Sequence, residues 1–243
     1  MGLCEMINKD EIAVCYSGLA RPGYEESIEI AKRVFPFDTF YMHWKGYKLP
    51  KVDNLKLFDE PVYQYHNLLE TKYKPDCHIW RRYTKPGGKI FRKPGLLKKT
   101  SNNSKQTLAH FWLVQTLPKK YKTIIKLRYD TILSEKVNFM PLLEKAQVGT
   151  VVGISGSSPG VDVDNPLQQH TYQDCNRCPG PYLWDHIIFH PRHKLQNVEE
   201  EFNNKNLMGA EWGWYQILHA QWQDNNYINV TGGNVLTSHR AKA

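Results

Sequence analysis

Apolar residues along this chain fall into short runs that alternate with segments of helical spacing. Residues 11–16, which are apolar from Ile12 to Tyr16, are typical of a buried strand, and the chain then turns at a glycine-containing segment. Beyond that turn, Ile28, Ala31, Val34 and Phe35 recur on one face at helical spacing. The pattern therefore predicts a strand, a turn and a helix as the first unit of the fold.

The same criteria place further elements along the rest of the chain. They predict strands at residues 38–44, 56–58, 123–127, 148–155 and 227–230, and helices at 63–73 and 101–117. Ser104 is the expected N-cap of the second of these helices, and Pro118 follows its end. Strands alternating with helices indicate an α/β protein, and we expect residues 1–243 to form a single domain.

The first turn is a candidate phosphate site. Ser17 and Gly18 follow the first strand directly, and the backbone N–H groups of such a turn are able to bind phosphate. Arg21 offers a fork of donors that pairs with phosphate oxygens, although a surface arginine just past a strand would look the same. The segment lacks the GxGxxG pattern.

The strand predicted at 123–127 ends in Arg128 and Asp130. Ligands of open α/β sheets bind beyond the carboxyl ends of the strands, where a carboxylate can hold a divalent metal. An ordinary solvated or salt-bridged aspartate is the simpler explanation. Asp162 and Asp164 have DxD spacing in a Pro/Gly-rich loop, and they fit either a second metal site or a turn.

Positive charge is concentrated in one part of the chain. Residues 77–129 contain 14 Lys and Arg and no Asp or Glu, whereas the remaining residues carry 18 basic side chains against 24 acidic ones. The stretch 81–105 is broken by Pro and Gly and interleaved with aromatic residues, which predicts a loop insertion suited to a polyanion such as DNA. A solubilising surface is the alternative. The candidate phosphate-contacting residues are Arg81, Arg82, Arg92, Lys93, Lys98 and Lys99.

The cysteine content and the length of the apolar segments indicate where in the cell the protein is expected. Five cysteines suit reduced thiols better than a disulfide framework. No apolar run approaches the ~20 residues of a membrane span, and residues 1–10 lack a signal-peptide core, so we expect a cytoplasmic protein. Cys175 and Cys178, with His170 upstream, hint at a zinc site, but further ligands are scattered.

Two acidic residues are candidate general bases. Asp185 stands just before an apolar strand, and Glu211 lies in the first turn of a predicted helix. An acid at that position of a helix also complements the helix dipole, so Glu211 has a structural explanation as well.

Taken together, these motifs resemble a group of glycosyltransferases with the GT-A fold. The resemblance rests on Ser17-Gly18-x-x-Arg21 after the first strand, on residues 40–44, on Lys126-Leu127-Arg128-Tyr129-Asp130, and on Asp185 and Glu211 in the expected order. It covers most of residues 11–220. The group contains small nucleotide-sugar-dependent enzymes of capsule and lipopolysaccharide type, with relatives in large viruses and phages.

The resemblance implies a fold and a set of roles. The fold would be a mainly parallel, Rossmann-type sheet flanked by helices, with the basic segment as a loop insertion. Ser17, Gly18, Arg21 and Arg128 would meet the diphosphate of a nucleotide-sugar donor. Asp130 would hold a divalent metal, Mn²⁺ or Mg²⁺, with His239 as a further ligand, although only one acid of the DxD motif is present. Asp185 or Glu211 would be the base of an inverting reaction.

The acceptor is open at this point. The acid-free segment favours DNA, and some phage relatives add sugars to 5-hydroxymethylcytosine in DNA, which in a viral protein would take place in the host cytoplasm. A polysaccharide or lipopolysaccharide acceptor is the alternative. A third hypothesis is a non-enzymatic protein that binds nucleic acid through the basic segment and zinc through Cys175 and Cys178.

Overall fold

The computed structural model of the protein describes residues 7–60, 62–64, 84–85, 89–90, 97–99, 102–157, 168–170, 183–203, 210–219, 222 and 227–236. The helices are α1 (Tyr24–Val34), α2 (Asn102–Gln115), α3 (Met140–Gln147), α4 (Val198–Asn203) and α5 (Ala210–Leu218). The strands are β1 (Ile12–Tyr16), β2 (Asp38–Trp44), β3 (Leu55–Phe58), β4 (Val62–Gln64), β5 (Thr84–Lys85), β6 (Lys89–Ile90), β7 (Leu97–Lys99), β8 (Thr123–Leu127), β9 (Thr131–Leu133), β10 (Val151–Ser157), β11 (Gln168–His170), β12 (Ile187–Pro191) and β13 (Tyr227–Leu236).

The largest sheet among the described residues has the order β11-β13-β10-β12-β8-β1-β2-β3, with β9 paired to β13. Strands β3, β2, β1 and β8 are parallel neighbours, and β13 is parallel to β10. Strand β12 runs in the opposite direction between β8 and β10, so those two strands point the same way. Six of the nine strands therefore share one direction, which confirms the predicted α/β fold with a mainly parallel sheet.

Each face of the sheet is covered by its own helices. In β1, Ala13 and Cys15 pack on the side of α2 and α5, whereas Ile12, Val14 and Tyr16 pack on the side of α1 and α3. Successive side chains of a strand point to opposite faces, so a strand buried on both faces must be apolar throughout. This requirement explains the uninterrupted apolar run of β1 and the largely apolar β8, which are buried at every position.

The structure corrects three predicted elements. The helix predicted at 63–73 is wrong at its start, because Val62–Gln64 forms β4 and pairs with β7. Strand pairing with a segment far along the chain outweighs the local pattern there. Helix α2 begins at Asn102, so Ser104 lies inside it and the loop insertion ends before residue 102. Strand β13 extends well beyond the predicted 227–230, because its later residues pair with β9.

Two histidines form a buried pair between α2 and the sheet. The Nε2 atoms of His110 and His190 are 2.9 Å apart, and His190 Nδ1 lies 2.9 Å from the Pro191 carbonyl oxygen. A carbonyl can only accept, so His190 carries its proton on Nδ1 and accepts from His110 Nε2–H. Burial lowers the pKa of His190 to about 4 and holds the pKa of His110 well below its ordinary value.

Among the described residues, no helix is both long and apolar enough to cross a membrane.

The histidine pair predicts acid sensitivity of the fold. In the unfolded chain His190 titrates near 6.5, whereas in the folded chain its pKa is about 4, so protons are taken up on unfolding within this window. Stability is present above pH 6.5 and falls as the pH drops towards 4, by about 1.4 kcal/mol per pH unit for each such histidine. Urea unfolding at a series of pH values measures this slope.

The variant His190→Asn should flatten that slope. The matched control is His193→Gln, which removes an exposed histidine from the same segment and should leave the slope unchanged. A wild-type protein whose free energy of unfolding is constant over this pH window would contradict the expectation.

Candidate functional site

A pocket lies where β1, β2 and β8 end. Its cavity volume is about 50 Å³, and it is lined by Ser17, Gly18, Leu19, Arg21, Trp44, Gln106, Arg128, Tyr129 and Asp130. Because β1, β2 and β8 are parallel, their carboxyl ends meet at one edge of the sheet. This is the edge at which ligands bind in open α/β sheets.

The loop between β1 and α1 forms one wall of this pocket. The Ser17 amide donates to the Leu127 carbonyl (3.4 Å), which continues the pairing of β1 with β8 by one residue. Gly18 then adopts a φ of +114°, a conformation that side chains with a Cβ rarely adopt. The chain therefore leaves the sheet sharply and carries Arg21 to the pocket wall before α1 begins.

Two polar atoms of the pocket have no hydrogen-bond partner among the described residues. They are Ser17 Oγ, in a residue that is only 2% exposed, and Gln106 Oε1 on α2. A buried polar group without a partner costs free energy, so these two atoms are available to hydrogen-bond a ligand or a water molecule in the pocket.

The opposite wall is the turn that follows β8. Its middle residue, Tyr129, is buried and donates from its hydroxyl to the Met42 carbonyl (3.0 Å), which anchors the turn to β2. On either side of it, Arg128 Nε and Nη2 donate to the two carboxylate oxygens of Asp130, each at 2.9 Å. Burial would raise the pKa of Asp130, but the hydrogen bonds and charge of Arg128, aided by Arg21 and His186, hold it below its ordinary value.

A second buried ion-pair network lies behind Arg128. Asp185 Oδ1 is 3.7 Å from Arg128 Nη1, and Asp185 Oδ2 is 4.0 Å from Lys126 Nζ. Lys126 is fully buried; its ammonium group also donates to the Asp185 carbonyl and lies 5.2 Å from the ring centre of Trp214. Burial would raise the pKa of Asp185, but Lys126 and Arg128 lower it, so this carboxylate is ionised near neutral pH.

The reversed direction of β12 explains why Asp185 is there. Ile187, the first residue of β12, is paired with Leu127, the last residue of β8. The chain that enters β12 therefore lies beside the chain that leaves β8. As a result, Asp185 reaches Arg128 although 57 positions separate them in sequence.

The described residues of the pocket offer few oxygen ligands to a divalent metal at Asp130. Mn²⁺ and Mg²⁺ need several oxygen ligands, and both Asp130 oxygens already accept hydrogen bonds from Arg128. In the part of the chain that the structure describes, three or more His, Cys, Asp or Glu side chains do not gather anywhere as a possible metal site.

The structure brings together five of the residues singled out from the sequence: Ser17, Gly18, Arg21, Arg128 and Asp130 line one pocket. Asp185 lies behind Arg128, buried and 3% exposed. Glu211 is the second residue of α5, but its side chain is outside the described residues. The roles predicted for these residues stay predictions.

Several predicted site residues, or their side chains, lie outside the part of the chain that the structure describes. His239, Asp162, Asp164, Cys175 and Cys178 are outside the described residues, as are Arg81, Arg82, Arg92 and Lys93. Lys98 and Lys99 belong to β7, and nothing is described of their side chains.

The sequence interpretation missed four wall residues, namely Leu19, Trp44, Gln106 and Tyr129. Trp44 closes β2, so its position at a strand end was a usable signal. Gln106 lies within α2 and is brought to the pocket by the packing of that helix on the sheet, which no local pattern indicates.

Comparison with known proteins leaves the family open. No protein-family profile matches the chain, and no curated protein does. Among solved structures, a 4-diphosphocytidyl-2C-methyl-D-erythritol synthase from Anaerococcus prevotii is similar at a TM-score of 0.48 and 9% identity, over 94% of this chain and 90% of that one.

Two further structures are similar over most of their length. A putative glucose-1-phosphate thymidylyltransferase from Bacillus anthracis has a TM-score of 0.46 at 8% identity, over 92% of this chain and 87% of that one. A mannose-1-phosphate geranyltransferase from Thermus thermophilus has a TM-score of 0.40 at 10% identity, over 93% and 75%. Likenesses this remote say nothing about the activity of the chain.

The pair formed by Lys126 and Asp185 gives a stability prediction. Lys126→Met should lower the free energy of unfolding by about 3–5 kcal/mol, because Asp185 then stays buried without its lysine. The double variant Lys126→Met/Asp185→Asn should lose less than the sum of the two single changes. Urea denaturation of all four proteins measures the coupling free energy.

The matched control is Lys122→Met, which removes an exposed ion pair with Glu11 and should cost no more than about 1 kcal/mol. Strictly additive effects of Lys126→Met and Asp185→Asn would show that the two side chains do not stabilise each other.

Proposed function

We propose that the protein is a nucleotide-sugar-dependent glycosyltransferase whose donor diphosphate binds in the pocket at the ends of β1 and β8. One observation carries the proposal: Arg21 and Arg128 line the same pocket as the unsatisfied Ser17 Oγ and Gln106 Oε1. Guanidinium groups pair with phosphate oxygens in a bidentate manner, and the polar atoms beside them suit the hydroxyl and amide groups of a nucleoside.

The chemistry of sugar transfer makes two demands on such a pocket. The bond between the anomeric carbon and the diphosphate oxygen breaks, so negative charge develops on the departing diphosphate and must be stabilised. The acceptor oxygen forms the new bond to the anomeric carbon, and its proton must pass to a base if the reaction inverts that centre. Arg21 and Arg128 meet the first demand.

The second demand concerns Asp185 and Glu211. Asp185 is buried against Lys126 and Arg128, and the two cations lower its pKa and therefore its basicity. This arrangement suits a group that orients Arg128 better than one that accepts a proton. The carboxylate of Glu211, at the start of α5, is then the better candidate for the base.

Binding of nucleoside diphosphates tests the proposal directly. We expect calorimetric titration with UDP, GDP, dTDP, CDP and ADP to find at least one ligand. Arg21→Ala should weaken that ligand about 10- to 100-fold, the usual worth of a hydrogen bond to a charged group. Arg33→Ala is the matched control, because Arg33 is exposed on α1 and pairs with Glu135 away from the pocket.

Two outcomes would contradict the proposal. One is the absence of binding for every nucleoside diphosphate and nucleotide sugar. The other is equal weakening by the Arg21 and Arg33 variants, which would indicate non-specific attraction to positive charge.

The proposed acceptor rests on charge and on the resemblance to phage enzymes. The acid-free stretch at 77–129 favours DNA over a polysaccharide or lipopolysaccharide, and the resemblance suggests 5-hydroxymethylcytosine as the modified base. We expect labelled sugar to be transferred to hydroxymethylated DNA and not to the same DNA with unmodified cytosine. If sugar is transferred to neither DNA but is transferred to a glycan, the DNA acceptor is wrong and a polysaccharide acceptor is favoured.

Charge neutralisation separates DNA binding from donor binding. Replacing Arg81, Arg82, Arg92, Lys93, Lys98 and Lys99 by Gln should weaken binding of duplex DNA and reduce the salt slope of log K by about 0.9 for each phosphate that is no longer neutralised. Affinity for the nucleoside diphosphate should stay unchanged. An unaltered salt slope would show that these residues do not bind the DNA backbone.

A further inference from the structure

We propose that Asp130 and Asp185 position the guanidinium of Arg128, and that Arg128 and Arg21 pair with the bound diphosphate without a divalent cation at Asp130. The inference rests on the function proposed above, and it assigns to arginine the charge that the family resemblance assigns to a metal.

The first step is the geometry of Arg128 and Asp130. Two parallel N–H···O bonds of 2.9 Å join the planar guanidinium to the planar carboxylate. Both side chains are nearly buried, at 12% and 11% exposed, so solvent screens this pair much less than a surface pair. A metal at Asp130 would have to break both bonds and strip a partly desolvated arginine of its partner.

The second step is the other carboxylate. Asp185 Oδ1 faces Arg128 Nη1 from the interior, while Lys126 balances the remaining charge of Asp185. Arg128 is thus held between a carboxylate from its own turn and a carboxylate that precedes β12. A side chain fixed from two sides loses little conformational entropy when it binds a ligand, which is the advantage of preorganisation.

The third step is the charge of the pocket. Arg21, Arg128 and Asp130 leave one net positive charge on its wall, before any ligand enters. A divalent cation placed beside two guanidinium groups would be repelled by both. A diphosphate, in contrast, is attracted by both guanidinium groups.

Chemical rescue tests this assignment. Arg128→Ala should bind the tightest of the five nucleoside diphosphates about 10- to 100-fold more weakly, and added guanidinium ion should restore part of the affinity. The rescue needs Asp130 to hold the added ion, so Arg128→Ala/Asp130→Asn should not respond. Arg33→Ala, measured with and without guanidinium, shows any effect of the guanidinium ion that does not depend on Arg128. Thermal unfolding checks that each variant folds.

The dependence on metal is the second measurement. We expect the affinity in excess EDTA to lie within about threefold of that in saturating Mn²⁺, a difference below 1 kcal/mol. Asp130→Asn should weaken binding equally in both conditions. Manganese paramagnetic resonance should give the same Mn²⁺ binding for the wild-type protein and for Asp130→Asn. A tight Mn²⁺ site present only in the wild-type protein would place a metal at Asp130.

The outcomes separate the two proposals. Binding only in the presence of Mn²⁺, with that requirement abolished by Asp130→Asn, overturns the arginine assignment and leaves the proposed function standing. The lack of rescue by guanidinium also overturns it. No diphosphate binding under any condition overturns the proposed function and this inference together.

Discussion

The ionised carboxylate of Asp185, enclosed between Lys126 and Arg128, is the interaction on which the site depends. Two cations so close to each other in the interior would be strongly unfavourable without it. Lys126 lies in the middle of an otherwise apolar strand, and it is fully buried there because the Asp185 backbone carbonyl and side chain both receive it. The Asp185 carboxylate thus interacts with two cations, Lys126 in β8 and Arg128 in the turn that follows β8.

This enclosure is a consequence of sheet topology. A parallel sheet gathers the carboxyl ends of its strands at one edge, which accounts for Ser17, Trp44 and Arg128 in a common pocket. The reversed strand β12 contributes its amino end to the same edge and adds a residue from much later in the chain. The parallel strands therefore supply the residues that line the pocket, and the antiparallel strand β12 brings Asp185, which interacts with Arg128 behind it.

The sequence predicted the parts of this arrangement that local pattern encodes. Strands β1 and β8 are buried on both faces, and their apolar residues are visible without any knowledge of partners. Ser17, Gly18, Arg21, Arg128 and Asp130 could be selected because they follow predicted strands directly. The pairing of Arg128 with Asp130, the support from Lys126 and Asp185, and the presence of Gln106 depend on side-chain geometry and helix packing. Strand β4 was missed for a related reason, since its partner lies more than 30 positions away.

The central position of β12 also constrains the order in which the molecule can assemble. Strands β3, β2, β1 and β8 come from the first 127 residues and can pair as soon as they are available, but β10 is separated from β8 until residues 187–191 insert between them. A nascent chain that stops short of this segment exposes two unpaired sheet edges, which are templates for pairing with other chains. The ionic support of the pocket and the closure of the sheet therefore both depend on the same short segment, residues 185–191.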